Sequence, residues 1–423
     1  MPDYLPRLVD TELDELIPDL PAIALDGPKG IGKTETCSRR ARTRLRLDDP
    51  AAASTLRADP QRLTRLEPPV LVDEWQNVPP VWDVVRRAVD DGARPGSFLL
   101  TGSATPARDQ PVHSGAGRIV SLRMRPLTLT ERPGMPAPTV SLRDLLNGDC
   151  TPEGRSDLTL ENYVEEITRS GLPAIHPLSP RARRQQLDGY ITRLFDRELS
   201  DGQAAMRRAA SMREWLTAYA AATSTTASFE AIRAAATPGQ ADPPSRVTAE
   251  RYRDWLASLW LLDPLPAWRP GGSPLQRLTA GPKHHLADPA LAARLLDVGP
   301  SDLLDGAGRT IRDHGTLLGA LFESLATLCV RVLAQTIEAR VSHLRTHRGE
   351  REVDLIVQGP AGRVVGIEVK LSSTVSDTDV KHLLWLKSQL RDQVSDTVIL
   401  TTGPDAYRRN DSVAVVPLAL LGP

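Results

Sequence analysis

An α/β fold in three segments is what this 423-residue sequence predicts. Three observations carry the prediction. Over the first ~135 residues, short apolar runs alternate with helical patterns, as a parallel sheet covered on both faces requires. A mostly helical stretch follows, with Leu, Ala and Arg at helical spacing. From Gly315 the chain returns to alternating strands and helices. Proline-rich stretches at 132–138, 237–244 and 264–274 mark breaks, and the expected segments are 1–135, 136–300 and 301–423.

The elements follow in order. Pro21-Ala-Ile-Ala-Leu25 reads as a strand entering a Gly-rich loop and a helix, and Pro69-Val-Leu-Val72 and Ser97-Phe-Leu-Leu-Thr101 read as two more strands. In the middle, 212–222, 226–236 and 248–261 read as three short helices before an apolar stretch, which suits a winged helix or a plain bundle equally. At the end, a helix over 316–335 precedes strands near 352–357 and 364–369, a helix near 379–390 and a strand over 397–401.

Composition narrows the function classes. Hydrophobic residues at 40% and charged residues at 25% describe a globular chain. The net charge of -1 gives no sign of a polymer-binding basic protein. Only six of the 52 basic residues are lysines, so a lysine in a chemical setting carries unusual information. Three distant cysteines, Cys37, Cys150 and Cys329, fit a reducing cytoplasmic location rather than disulfides or a zinc site. No unbroken apolar run approaches a membrane span, and the acidic start Met1-Pro2-Asp3-Tyr4 is no signal peptide.

The segment Gly27-Pro28-Lys29-Gly30-Ile31-Gly32-Lys33-Thr34 fits GxxxxGK[ST] between a strand and a helix. Chance predicts about 0.004 such matches in a chain of this composition. Glycines let successive backbone N–H groups turn toward phosphate oxygens, and the helix start adds its positive end. Lys33 would reach the β and γ phosphates, and Thr34 would ligate Mg²⁺. Asp73, ending the strand Val70-Leu-Val-Asp73, would hold the ion's water shell, and Glu74 would polarise the attacking water. The lesser alternative is an N-cap Asp and a first-turn Glu opening a helix before Trp75. Ser103 or Thr101, at the end of Phe98-Leu-Leu-Thr101-Gly-Ser103, is a candidate γ-phosphate sensor; turn chemistry accounts for those residues as well.

Tyr4-Leu-Pro-Arg7, the phosphate loop, Asp73-Glu74-Trp75-Gln76, Leu100-Thr-Gly-Ser103, and Ala116-Gly117-Arg118 leading to Pro126-Leu127 occur in that order. The run resembles a bacterial and archaeal group of AAA-type P-loop ATPases. The resemblance implies an additional-strand ATPase core that uses ATP and Mg²⁺, and makes Arg118 a candidate arginine finger acting across a homo-oligomer interface. A surface ion pair is the alternative for Arg118. Glu35-Thr36-Cys37 departs from the small or hydroxyl residues more usual after that loop.

Near the C-terminus, Glu323 lies on a helix, Asp354 in Glu352-Val-Asp354, and Glu368 with Lys370 in Glu368-Val-Lys370. Residues i and i+2 of a strand share a face, so Glu368 and Lys370 project together and Asp354 can join them. Proteins of the group carry a C-terminal domain of unknown function that resembles the PD-(D/E)xK nuclease fold, a restriction-endonuclease-like α/β domain. The resemblance implies a second Mg²⁺ on Glu323, Asp354 and Glu368, with Lys370 activating water. Against it, 12 basic residues meet 12 acidic ones from Gly315 to Pro423, with no basic track for phosphates. Three outcomes stay open: an ATPase that cuts nucleic acid, a switch that binds DNA without cutting, or an ATP-regulated binder of a protein partner. Arg39, Arg40, Arg42, Arg44 and Arg46 read as a solvated helix face running into a strand, as does Arg181-Ala-Arg-Arg184 as a solvated face. His284-His285 reads as a loop pair without a metal.

Overall fold

A computed structural model of the chain describes residues 4–103, 115–196, 203–236, 243–268, 281–305, 310–311, 315–346 and 350–423. The expected breaks at 237–244 and 264–274 lie largely outside these residues. The chain divides into two compact units: Met1–Pro126 with Leu172–Ala174 and Asp254–Leu261, and the remainder.

The first unit is built on five strands: β1 (Ala22–Asp26), β2 (Thr43–Arg46), β3 (Val70–Asp73), β4 (Phe98–Gly102) and β5 (Val120–Arg123). They form one all-parallel sheet in the order β2-β3-β4-β1-β5. β4 is inserted between β1 and β3, the arrangement an additional-strand core implies. β1, β3 and β4 are apolar and buried up to their polar last residues, as central strands covered on both faces must be. Their carboxyl ends finish level, with Asp26 opposite Gly102 and Asp73 opposite Thr101, so the polar residues after them meet on one edge. β5 escaped the sequence reading because it is an edge strand with only Leu122 buried. β2 is the strand into which the Arg cluster runs, and ion pairs of Arg40 with Asp10 and Asp14, Arg42 with Glu67, and Arg46 with Asp48 neutralise that cluster locally.

In the second unit the strands are β6 (Val140–Ser141), β7 (Thr310–Ile311), β8 (Gly315–Thr316), β9 (Arg340–Arg345), β10 (Glu352–Gln358), β11 (Val364–Lys370), β12 (Val394–Thr401), β13 (Tyr407–Arg408), β14 (Ala414–Pro417) and β15 (Leu421–Gly422). The main sheet has the order β13-β14-β12-β11-β10-β9. β9, β10 and β11 form an antiparallel meander, and β11 runs parallel to β12 through the crossover helix Lys381–Leu390. The helix Leu317–Thr336 is capped by the Thr316 hydroxyl on the Gly319 N–H. It is the one described helix long and apolar enough to cross a bilayer, and 78% of its apolar window is buried inside the protein.

The three expected middle helices are Gln203–Ala221, Phe229–Ala235 and Arg246–Ser258. Backbone bridges follow: Leu262 pairs with Leu286 and Leu265 with Lys283, antiparallel, and Thr223 pairs in parallel with His284. His284 and His285 are therefore not a loop pair. They lie on this ladder at 1% and 3% exposure, their rings turned to the Ala227 carbonyl and the Ser324 hydroxyl. Burial holds both imidazoles below their usual pKa. Arg183 also departs from the solvated face expected for 181–184. It is buried, with Glu165 at 2.9 Å, while Arg181 and Arg184 are exposed.

Candidate functional site

The phosphate loop leaves β1 at Asp26 and enters the helix Lys33–Ser38. Gly27 has φ 155°, and a Cβ there would stand 2.2 Å from the Met124 carbonyl oxygen and 2.6 Å from Ile31 Cδ1. Only glycine fits that approach. Gly30 and Gly32 hold φ of 84° and 98°, which turn the loop back on itself. Pro28 and Ile31 are buried beneath it, and Lys29 and Gly30 are exposed at its tip.

Lys33 lies over this loop, 6% exposed, and its ammonium donates to the Gly27 and Pro28 carbonyls, 2.7 Å each. Burial lowers its pKa to about 8, against the pull of Glu74, Asp26 and Asp73. Thr34 Oγ1 donates to Asp73 Oδ1 at 2.8 Å, a contact between residues 39 apart in sequence. Thr101 Oγ1 donates to the same carboxylate oxygen. The hydroxyl, the carboxylate and the lysine predicted to hold phosphate and Mg²⁺ thus stand on one edge of the sheet.

Glu74 follows Asp73 with φ 55° and ψ 46°, left-handed backbone that a glutamate adopts only when its surroundings impose it. Ser103 Oγ donates to Glu74 Oε2 at 2.7 Å, and the Gln76 amide donates to the same oxygen. Ser103, which with Thr101 was expected to sense phosphate, touches Glu74, and Gln76, which the sequence reading gave no role, shares that contact. Gly102 makes room for them, since a Cβ there would come within 2.9 Å of Trp75 Nε1 and 3.1 Å of Gln76 Oε1.

Arg7 is a second residue whose role was missed. Its buried guanidinium donates to the Ile31 carbonyl at 2.8 Å and the Arg125 carbonyl at 2.7 Å, bracing the phosphate loop against the chain after β5. Tyr4 hydrogen-bonds Asp10 and Thr36, so the Tyr-x-Pro-Arg segment is a brace. Its only advance signal was recurrence beside the loop motif. Arg118 is half-exposed and pairs with Asp90 of its own chain at 2.8 Å.

The C-terminal residues also converge, around a partner the sequence reading omitted. The Lys283 ammonium lies 2.9 Å from each of Glu323 Oε1, Glu352 Oε1 and Asp354 Oδ1. Asp354 Oδ2 accepts the Val369 N–H at 2.9 Å. Glu368 takes Lys370 at 2.9 Å through Oε2, and its buried Oε1 has no hydrogen-bond partner. Burial works against the charge of Lys283, but Asp354, Glu323 and Glu352 together outweigh it and hold its pKa well above the usual value. Burial pushes Glu323 up to about 8 and raises Glu368. Among the described residues, no group of three or more His, Cys, Asp or Glu is arranged to hold a metal ion.

Residues 19–132 match an AAA domain. Residues 160–302 and 318–421 match two domains of unknown function, DUF8612 and DUF4143. The first unit thus carries an AAA-type P-loop domain, in agreement with its parallel sheet. Uncharacterized proteins of Mycobacterium bovis and Mycobacterium tuberculosis are each 26% identical to the chain over 407 residues, covering 94% of it and 80% of the relative. Among solved structures, the Walker-type ATPase PABY2304 of Pyrococcus abyssi aligns at 15% identity and a TM-score of 0.39, over 69% of this chain and 96% of that one.

Proposed function

We propose that the first unit binds ATP with Mg²⁺ and hydrolyses it. The observation that carries the reading is the Thr34–Asp73 hydrogen bond beside Lys33, at the mouth of a loop whose Gly27 admits no side chain. A hydroxyl and a carboxylate side by side form the oxygen donor set that Mg²⁺ takes with a nucleotide, so the residues fit the ion. Thr34 and Asp73 would hold it, and the bound ion supplies positive charge to the phosphate oxygens. Lys33 exchanges two neutral carbonyls for phosphate oxygens, a stronger charge-assisted contact. Glu74 takes the proton of the attacking water, and Ser103 and Gln76 fix its carboxylate for that task. Arg118 leaves Asp90 to serve a neighbouring copy's site. ATPase assays of Glu74→Gln test the core of this reading: bound nucleotide without turnover is expected, and turnover at the wild-type rate would remove Glu74 from the role of base.

The second unit is read as a nucleic-acid-binding partner that does not cut. Supporting this, the middle helices and the ladder follow the winged-helix order, with a bridge after the first helix and an antiparallel pair after the third. Lys283 already neutralises Glu323 and Asp354, two of the three expected metal ligands. Duplex DNA should bind with a salt-dependent affinity, and plasmid incubated with Mn²⁺ and ATP should stay intact. Nicking that Asp354→Asn abolishes would restore the nuclease reading.

A further inference from the structure

Lys283 is 2% exposed, one of the largest fully buried side chains, and it is reached from three directions. Glu352 and Asp354 come from the same face of β10, Glu323 from the helix Leu317–Thr336, and the lysine from the ladder strand that pairs with Leu265. An ammonium has three protons to donate; Glu323 and Asp354 accept two of them, and Glu352 Oε1 lies at the same 2.9 Å as an ion pair. That distance suits a charge-assisted hydrogen bond. A divalent ion draws oxygens to roughly 2.0–2.6 Å, so the cluster as built is spaced for the lysine.

A buried charge is tolerated only when its partners are complete. The converse holds for the carboxylates: without Lys283, three would face one another with no cation between them. Glu368, 4% exposed, has its own basic neighbours: its Oε2 takes Lys370 at 2.9 Å and its Oε1 lies 3.9 Å from His382 Nδ1.

We propose that Lys283 is the resident cation of this cluster and a lock on it. It holds the ladder strand against β10 and the helix, and it keeps divalent ions out of the place their charge would otherwise fill. The lock is independent of ATP hydrolysis in the first unit. It makes the cluster a structural joint, and only removal of the lysine's charge would open Glu323, Glu352 and Asp354 to a divalent ion.

The test is thermal unfolding of the full chain without nucleotide, with and without millimolar Mn²⁺. Wild type should melt at the same temperature in both. Lys283→Met, which keeps the stem and removes the charge, should melt about 10 °C lower. Mn²⁺ should restore much of that loss, and Lys283→Met/Asp354→Asn should not respond to Mn²⁺. Lys283→Met with wild-type stability, or without a Mn²⁺ response, would overturn the proposal. Should Lys283→Met fail to fold, the wild type still decides. A Mn²⁺-dependent rise in its melting temperature, absent from Asp354→Asn, would show the ion entering with the lysine in place and sink the lock. No rise, together with recovered folding in Lys283→Met/Glu323→Gln/Asp354→Asn, would uphold it.

Discussion

Two lysines divide the chemistry of this chain. Lys33 and Lys283 are both buried, at 6% and 2% exposure. Lys33 rests on two neutral carbonyls and its pKa falls to about 8, whereas Lys283 rests on carboxylates and its pKa lies well above the ordinary value. The partner's charge makes the difference. An ammonium on carbonyls gains by exchanging them for phosphate, while one enclosed by carboxylates has nothing better to move to. The same residue type therefore rests on neutral partners in one unit and on charged ones in the other.

The working half breaks most visibly at Glu74. Glu74→Gln should lower ATP turnover by about 10²–10⁴-fold with binding retained, read from single-turnover rates. Lys33→Ala should weaken ATP by about 10²-fold, the ~3 kcal/mol of a charged hydrogen bond at the upper end, measurable by calorimetry. Acidity sharpens the contrast. Lys33 carries its proton below pH 8 and loses it above, while phosphate binding requires the charged form. ATP affinity should hold steady below pH 8 and fall by up to about tenfold per unit above it, with proton uptake on binding. Calorimetry in buffers of different ionisation enthalpy reads that uptake, and a flat profile from pH 7 to 9 would contradict it. Arg7→Met should cost about 2 kcal/mol through the lost hydrogen bonds to the Ile31 and Arg125 carbonyls, seen in denaturant unfolding. The smallest effect is at Arg118. Its half-exposed pair with Asp90 contributes at most ~1 kcal/mol, so Arg118→Ala should leave stability nearly unchanged while removing any rise of specific activity with protein concentration.

Much of the first unit was legible because its signals are local. β1, β3 and β4 are continuous apolar runs, and the phosphate loop needs glycine at fixed offsets. β5 was not, since an edge strand with one buried residue has no pattern to read. Side chains that act at a distance were equally silent. Nothing near Gln76 says it will hold Glu74, and Arg7 meets Arg125 across 118 positions. At the C-terminus, i, i+2 spacing placed Glu368 with Lys370 and a helix supplied Glu323, but Lys283 is 40 and 71 positions from Glu323 and Asp354. The histidines beside Lys283 carried a visible signal that pointed to a loop, because isolated bridges leave no periodicity.

Asp354 has one more consequence. The antiparallel pairing of β10 with β11 runs from Gln358 back to Leu355 opposite Ile367, and there it stops. Just beyond, the Val369 N–H is taken by the Asp354 side chain instead of a backbone carbonyl. The carboxylate is therefore a clasp at the open end of the hairpin, fixing which residue of one strand faces which of the other. A slip by a single position would carry Glu368 and Lys370 to the opposite face of the sheet. An alanine at 354 would undo the clasp along with the charge, whereas an asparagine, which keeps an oxygen for Val369, separates the two.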